Sequence, residues 1–156
     1  MSNSSEEIKQ TTGKNGSCKL VFHNYYVEEV EFKYNKEYKS GSSIPIEFEM
    51  ASEIENINED RVNVRLIISI FDDAITNNKP FEMRLSIIGK FAVHNYSQED
   101  NYLLEQNTLS ILFPFARAVV STYTAGANIT SLILPPVNIV EYMKEKEKAQ
   151  RNKQYK

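Results

Sequence analysis

The side chains that could carry covalent or proton-transfer chemistry are few. The 156-residue sequence holds two histidines, His23 and His94, one cysteine, Cys18, and an adjacent acidic pair, Asp72-Asp73. A histidine serves as general base when a nucleophile lies within hydrogen-bond reach and a third group orients the ring. Neither histidine is accompanied by a serine or cysteine motif of that kind, and His94 falls on the polar side of a strand pattern. Both read as surface residues. A single cysteine excludes an internal disulfide and a thiolate cluster for zinc. Asp72-Asp73 offers oxygen ligands to a cation, but two acids between strand patterns read as a solvated turn. No glycine-rich phosphate loop, HExxH pair or calcium-loop spacing occurs, and the chain has only five glycines. The residues point to binding rather than catalysis, with no cofactor, metal or nucleotide expected.

The elements that would position a binding surface are legible from the hydrophobic period. Four segments alternate as half-buried strands do. Val30, Phe32 and Tyr34 stand against Glu29, Glu31 and Lys33; Ile44, Ile46, Phe48 and Met50 against Pro45, Glu47 and Glu49. Val62 to Ile70 and Phe81 to Val93 repeat the pattern. Polar turns at Asn58-Glu59-Asp60 and Asp72 to Lys79 predict an antiparallel meander of the last three strands. The longer link from Tyr34 to Ile44 suits a crossover.

After Asn95 the period lengthens to three and four through Leu109, Leu112, Phe113, Ala116, Val120 and Tyr123, as on an amphipathic helix. Pro114 is best tolerated in a first turn, so the main helix begins there or a longer helix kinks there. Gly126 suits a left-handed closing position. Asn138 caps a second helix, which past Met143 is charged all round and must protrude or fray. The predicted fold is α+β: a four-stranded antiparallel sheet packed by two C-terminal helices in two layers.

Three regions follow: a flexible polar arm over residues 1–19, a domain over 20–143, and a charged, Lys-rich tail over 144–156. Hydrophobic residues make up 41% and charged residues 25%, the balance of a folded globular chain. A net charge of −3 and a pI near 5.5 argue against nucleic acid as the main partner. No stretch approaches the roughly 18 apolar residues of a membrane span. The N-terminus lacks the apolar core of a signal peptide. The expected location is the cytoplasm, without membrane insertion.

One feature exceeds what a two-layer domain needs. Ile67 and Phe71 fall on the nominally wet side of their strand, as does Ile88 on the next. The run Leu109 to Phe115 is apolar on several faces, and Ile129 to Leu134 is greasier than an exposed connection should be. Such a surplus either completes the core of the single chain or serves burial against identical subunits or an apolar groove for a ligand.

The run Leu112-Phe113-Pro114-Phe115-Ala116-Arg117, followed by Leu132-Ile133-Leu134-Pro135-Pro136-Val137-Asn138, resembles the SecB family. That family carries an L-F-P-Y-A-R helix start and then an L-x-L-x-P-V-N element leading into the last helix. Tyr26 to Phe32 resembles its first strand, and Phe81 to Phe91, with Gly89, its fourth. Phe115 replaces the usual tyrosine.

The resemblance implies an ATP-independent chaperone that holds unfolded or precursor proteins, assembled as a homotetramer. It places client binding at Ile44, Ile46, Leu109, Leu112, Phe113, Phe115, Ile129, Leu132 and Tyr142. It puts Met83, Leu85 and Ile87 where dimers meet, and Glu29 among the acids that face the translocase ATPase SecA. Lys33 and Arg84 stand where further acids are expected. From Lys144 to Lys156 six basic and two acidic residues replace the family's acidic tail. Weaker docking to SecA follows. The alternatives are a SecB-like chaperone dedicated to the antitoxin of a toxin–antitoxin system, and a structural adaptor without chaperone activity.

Overall fold

The computed structural model describes residues 8–11, 19–39, 41 and 43–155. Five strands are formed: β1 Ile8–Thr11, β2 Lys19–Tyr34, β3 Phe48–Asn58, β4 Arg61–Ile70 and β5 Phe81–His94. A 3-10 turn, Gln98–Asp100, leads into α1 Asn101–Gly126, and α2 runs Ile139–Gln154. The strands make one antiparallel sheet in the order β1-β2-β5-β4-β3. β3, β4 and β5 are the expected meander, and the link after β2 crosses over to the opposite edge.

The short β1 lies inside the segment expected to be a flexible arm, where it pairs with Lys19–Phe22 of β2. The rest of that arm, Cys18 included, lies outside the described residues.

β2 is longer than its alternation suggests because its parity changes twice. Against β5 the register slips between Phe22 and Asn24 and again between Val27 and Glu29. Each slip inserts one extra residue, His23 and then Glu28. A single-residue slip exchanges the faces of everything beyond it. The helix-facing set therefore reads Leu20, Phe22, then Tyr25, Val27, then Val30, Phe32, Tyr34, each opposite an odd-numbered β5 residue from Val93 down to Phe81.

α1 lies on that face and buries Leu104, Leu109, Leu112, Phe113, Ala116 and Val120. Beneath it β4 and β5 contribute Val62 to Ile70 and Phe81 to Val93 at alternate positions, mostly below 3% exposure. Gly89 permits this approach: a Cβ there would stand 2.6 Å from a Leu112 methyl and 2.6 Å from the Phe91 ring. The helix begins at Asn101 rather than at Pro114, which sits within it. Proline forfeits the bond to the carbonyl four residues back, here Ser110, and both residues are exposed, so water can take the partner's place. The left-handed position after α1 belongs to Asn128, with φ 61°, and not to Gly126.

The crossover is tied down by Asn35, which is 4% exposed. Its side chain donates to the carbonyls of Ala74 and Lys79 and accepts from the Glu37 amide. Asn78 continues the seam through the Lys39 backbone. Ile44 and Ile46 lie in this link rather than in β3, which starts at Phe48.

Candidate functional site

The two flanks of α1 differ. On one, Phe115 stacks on Tyr25 at 4.5 Å and on Phe22 at 5.7 Å, while Tyr123 meets Phe32 at 5.5 Å. Phe115, Val119 and Tyr123 are four residues apart and so share this side. It overhangs β2, where Val27 and Tyr34 are 42% and 53% exposed.

The other flank faces β3 and α2. Phe113 stacks on Phe48 at 6.4 Å. Arg117 Nε donates to the Leu134 carbonyl, the Ser121 and Ser131 hydroxyls meet at 3.0 Å, and Thr124 Oγ1 accepts from the Leu132 amide at 2.8 Å. These bonds lead the α1–α2 connection back along α1, with Leu134 fully buried and Ile133 turned outward. Asn138 then caps α2 by accepting from the Glu141 amide, as its sequence position predicts.

α2 returns antiparallel to α1. Tyr142 Oη donates to the Met50 carbonyl at 2.9 Å, and Lys146 Nζ meets Glu105 Oε1 at 2.6 Å, where the Ser52 hydroxyl also donates. Burial pushes the Tyr142 hydroxyl up from its ordinary value, so it remains a proton donor at neutral pH. Lys146 thereby anchors the part of α2 expected to protrude or fray. α2 stays helical through Gln154, with its outer face in water.

Of the residues expected to bind clients, the structure divides the set. Leu109, Leu112 and Phe113 are 0, 0 and 4% exposed beneath α1 and cannot meet a ligand. Phe115 lies on the β2 flank. Three strand spacings, about 14 Å, separate β2 from β3, so Phe115 does not join Tyr142. Ile44, Ile46, Ile129, Leu132 and Tyr142 remain half-buried or exposed. On the β3 flank Tyr142 meets the Met50 carbonyl and Phe48 meets Phe113, Ile44 and Ile46 lie in the link that enters β3, and the Leu132 and Ile129 amides bond to Thr124 near the end of α1. Phe48 and Met50 belong to this flank and were visible in the alternation. Ile46, Phe48 and Phe71 also border an open depression of ≈ 490 Å³.

Met83, Leu85 and Ile87, expected where dimers meet, are 2, 0 and 0% exposed within the single chain. The chain's own helix covers them, so they have no surface to offer a second copy. Ile67, Phe71 and Ile88 are likewise buried without a partner, at 9, 5 and 6%.

Over Ile67 and Ile88 runs a polar ladder spanning four strands of the open face. Glu28, in the second bulge, accepts from Arg65 Nε at 2.7 Å and from the Ser86 hydroxyl at 2.8 Å; Arg65 also reaches Glu53 at 2.6 Å. Those hydrogen bonds hold the Glu28 carboxyl below the ordinary carboxylate range and raise the Arg65 guanidinium further. Glu29 is exposed on the same face, opposite Ser86 and beside Glu31. A hydrogen bond shared with Glu31, and its charge, raise the Glu29 carboxyl. Arg84 faces Glu31 and Lys33 faces Glu82, so this end is mixed in charge. His23 and His94 are both exposed. Among the described residues no group of three potential metal ligands occurs, and no helix is long and apolar enough to cross a membrane.

A proline-bearing helix laid across an antiparallel sheet, with a second helix pinned beside it by an extended Leu-Pro-Pro segment, defines a SecB-like α+β domain. The chain belongs to the SecB family: the family described as preprotein translocase subunit SecB matches residues 14–150. It is 33% identical to an uncharacterized protein of Methanocaldococcus jannaschii over 129 residues, 81% of this chain and 83% of that one. Against the protein-export protein SecB of Neorickettsia sennetsu it is 35% identical over 71 residues, 44% of this chain and 42% of the other. Its fold is similar to the Mycobacterium tuberculosis SecB-like chaperone Rv1957, solved in complex with a ChAD peptide from the Rv1956 HigA1 antitoxin. That similarity has a TM-score of 0.58 at 16% identity, over 76% of this chain and 91% of the other.

Proposed function

We propose that this protein is an ATP-independent holdase chaperone, which binds extended non-native segments of other proteins along the β3 flank of α1. The observation that supports it is the set of half-buried apolar side chains packed against the core there, Ile44, Phe48, Leu132 and Tyr142, with Ile46 exposed next to them in the chain. A holdase works by mass action, since whatever binds the unfolded chain preferentially stabilises that state. Apolar side chains on a loop-bordered strip accept many sequences, because burial is non-directional and each contact is worth about 1–3 kcal/mol when complete. Assembly as a homotetramer would use the other flank, where Val27, Tyr34 and Tyr123 are too exposed to be finished surface.

The test is the refolding of an unfolded client without nucleotide. The refolding half-time should lengthen in proportion to the chaperone present, and refolding unaffected by a molar excess would contradict the proposal. Sedimentation should give a species near four times the chain mass, and a stable monomer at micromolar concentration would refute the assembly.

The fold shared with a chaperone bound to an antitoxin peptide supports a second reading, in which the client is one antitoxin. A toxin–antitoxin pair encoded beside this gene would favour it. The mixed charges around Glu29, with Lys33 and Arg84, support weak docking to SecA, because opposing patches set association rate and partner choice. Nanomolar binding to SecA in calorimetry would contradict that.

A further inference from the structure

The open face of the sheet carries cations of two kinds. Arg65 is clamped between Glu28 and Glu53. Toward the other end of the face, Arg61 and Lys90 make no ion pair among the described residues; Lys90 instead lies 5.4 Å over the Tyr26 ring. Both border a depression of ≈ 410 Å³, together with His23, Asn24 and Asn63, with an apolar edge from Ile57. Among the described residues no carboxylate lines it. Among the described residues, Glu55 across from Asn63, and Glu59 and Asp60 in the turn before Arg61, make no ion pair with these cations.

The placement follows from the bulge. The first register slip sets His23 out of the ladder and puts Asn24 opposite Lys90, which in turn faces Asn63 on β4. One row of donors thus crosses β2, β5 and β4, with Arg61 next to it. In a chain of net charge −3 such a group is not explained by overall composition. Unpaired cations beside carboxamides, with no acid among them, form a receptor for oxyanions.

We infer that this depression binds an acidic extended segment of a partner protein, through carboxylates held by Arg61 and Lys90 with Asn24 and Asn63 as neutral donors. Two features favour carboxylates on a chain over a lone phosphate. Phosphate sites are usually built on helix N-termini or nests of free backbone amides, whereas this one lies on paired strands. Its cations also sit diagonally on neighbouring strands, Arg61 opposite Ala92 and Lys90 opposite Asn63, a step of about 7–8 Å. Carboxylates at alternate residues of an extended chain stand about 7 Å apart, so two of them span the group where one phosphate would not. The exposed Ile57 and Tyr26 at the margins suit apolar residues between the acids. This site is on the opposite face of the sheet from the apolar strip and does not depend on it.

The experiment is fluorescence anisotropy of a short alternating Glu-Ser peptide titrated with the full chain at low salt, with a Lys-Ser peptide as control. Binding should be specific to the acidic peptide and should weaken with added salt. The double variant Arg61→Gln/Lys90→Gln should lose affinity by roughly tenfold or more, since each charge-assisted bond is worth more than a neutral one. That variant should keep the wild-type melting curve and suppress client aggregation as wild type does, which separates this site from the apolar strip. Equal binding by variant and wild type, or equal binding of the two peptides, would overturn the inference. So would complete displacement of the peptide by submillimolar inorganic phosphate at matched ionic strength, which would make this a phosphate site.

Discussion

Tyr142 donates its hydroxyl to the backbone carbonyl of Met50 at 2.9 Å, joining the second helix to the edge strand β3 across most of the chain's length. The register explains why that carbonyl is free. Phe71 donates its amide to Glu47 O, so odd-numbered residues of β3 bond to β4 and even-numbered ones point outward. Tyr142 thus satisfies an acceptor that the sheet cannot. Tyr142→Phe should cost about 1 kcal/mol of stability, the net worth of one hydrogen bond. Hydrogen exchange should speed up in α2 before it does in α1. Unchanged exchange in α2 would show that the bond does not hold the helix.

Leu85 is fully buried opposite Val30 and Ile68. Leu85→Asp should destabilise the fold by roughly 3–5 kcal/mol, because it strands a charge with no partner. The loss should appear as unfolding in circular dichroism. A folded, merely dissociated subunit would mean that the residue serves an interface after all.

Gly89→Ala tests how closely α1 approaches β5. The added methyl would meet Leu112 and Phe91 at 2.6 Å, closer than carbon atoms tolerate. Overpacking of this kind costs about 1–3 kcal/mol, and the denaturant midpoint should fall accordingly. An unchanged midpoint would mean that Leu112 and Phe91 have room to move.

Glu28 gives the open face a pH dependence. Its carboxyl lies below the ordinary range because Arg65 and Ser86 donate to it. A group that holds its proton less tightly in the fold stabilises the fold above its unfolded pKa. That contribution is lost as pH falls through the lowered folded value. Glu28→Gln should therefore destabilise the protein at neutral pH and lose less stability on acidification, measured by urea midpoints at neutral pH and near pH 3. Parallel pH profiles for variant and wild type would contradict the assignment.

Much of this fold was legible because its strands are half-buried and alternate. The meander from Phe48 to His94, the crossover and the Asn138 cap all follow from period and turn chemistry. The Leu-Phe-Pro and Leu-Pro-Pro elements carried the family. The first half of β2 was hidden because two bulges change its parity, and an alternation broken every few residues no longer reads as a strand. Pro114 allowed either a helix start or a longer helix passing through it, and the choice rests on local exposure, which sequence does not reveal. For the candidate site, residue type was a good guide and accessibility was not. Leu112 and Phe115 are both apolar residues of one helix, yet one is core and the other flanks β2. Asn35 gave no signal beyond its identity, since two of its three side-chain bonds reach a turn some forty residues on.

Client binding along the β3 flank is tested by light scattering from a heat-aggregating client in the presence of the wild type and of Ile44→Ala/Leu132→Ala/Tyr142→Ala. These side chains are half-buried, so the variant should still fold and assemble, as sedimentation would verify. Wild type should suppress scattering without nucleotide, and the variant, losing several contacts of about 1–3 kcal/mol each at full burial, should suppress it poorly. An assembled variant that protects the client as well as wild type would contradict this and place client binding elsewhere on the molecule.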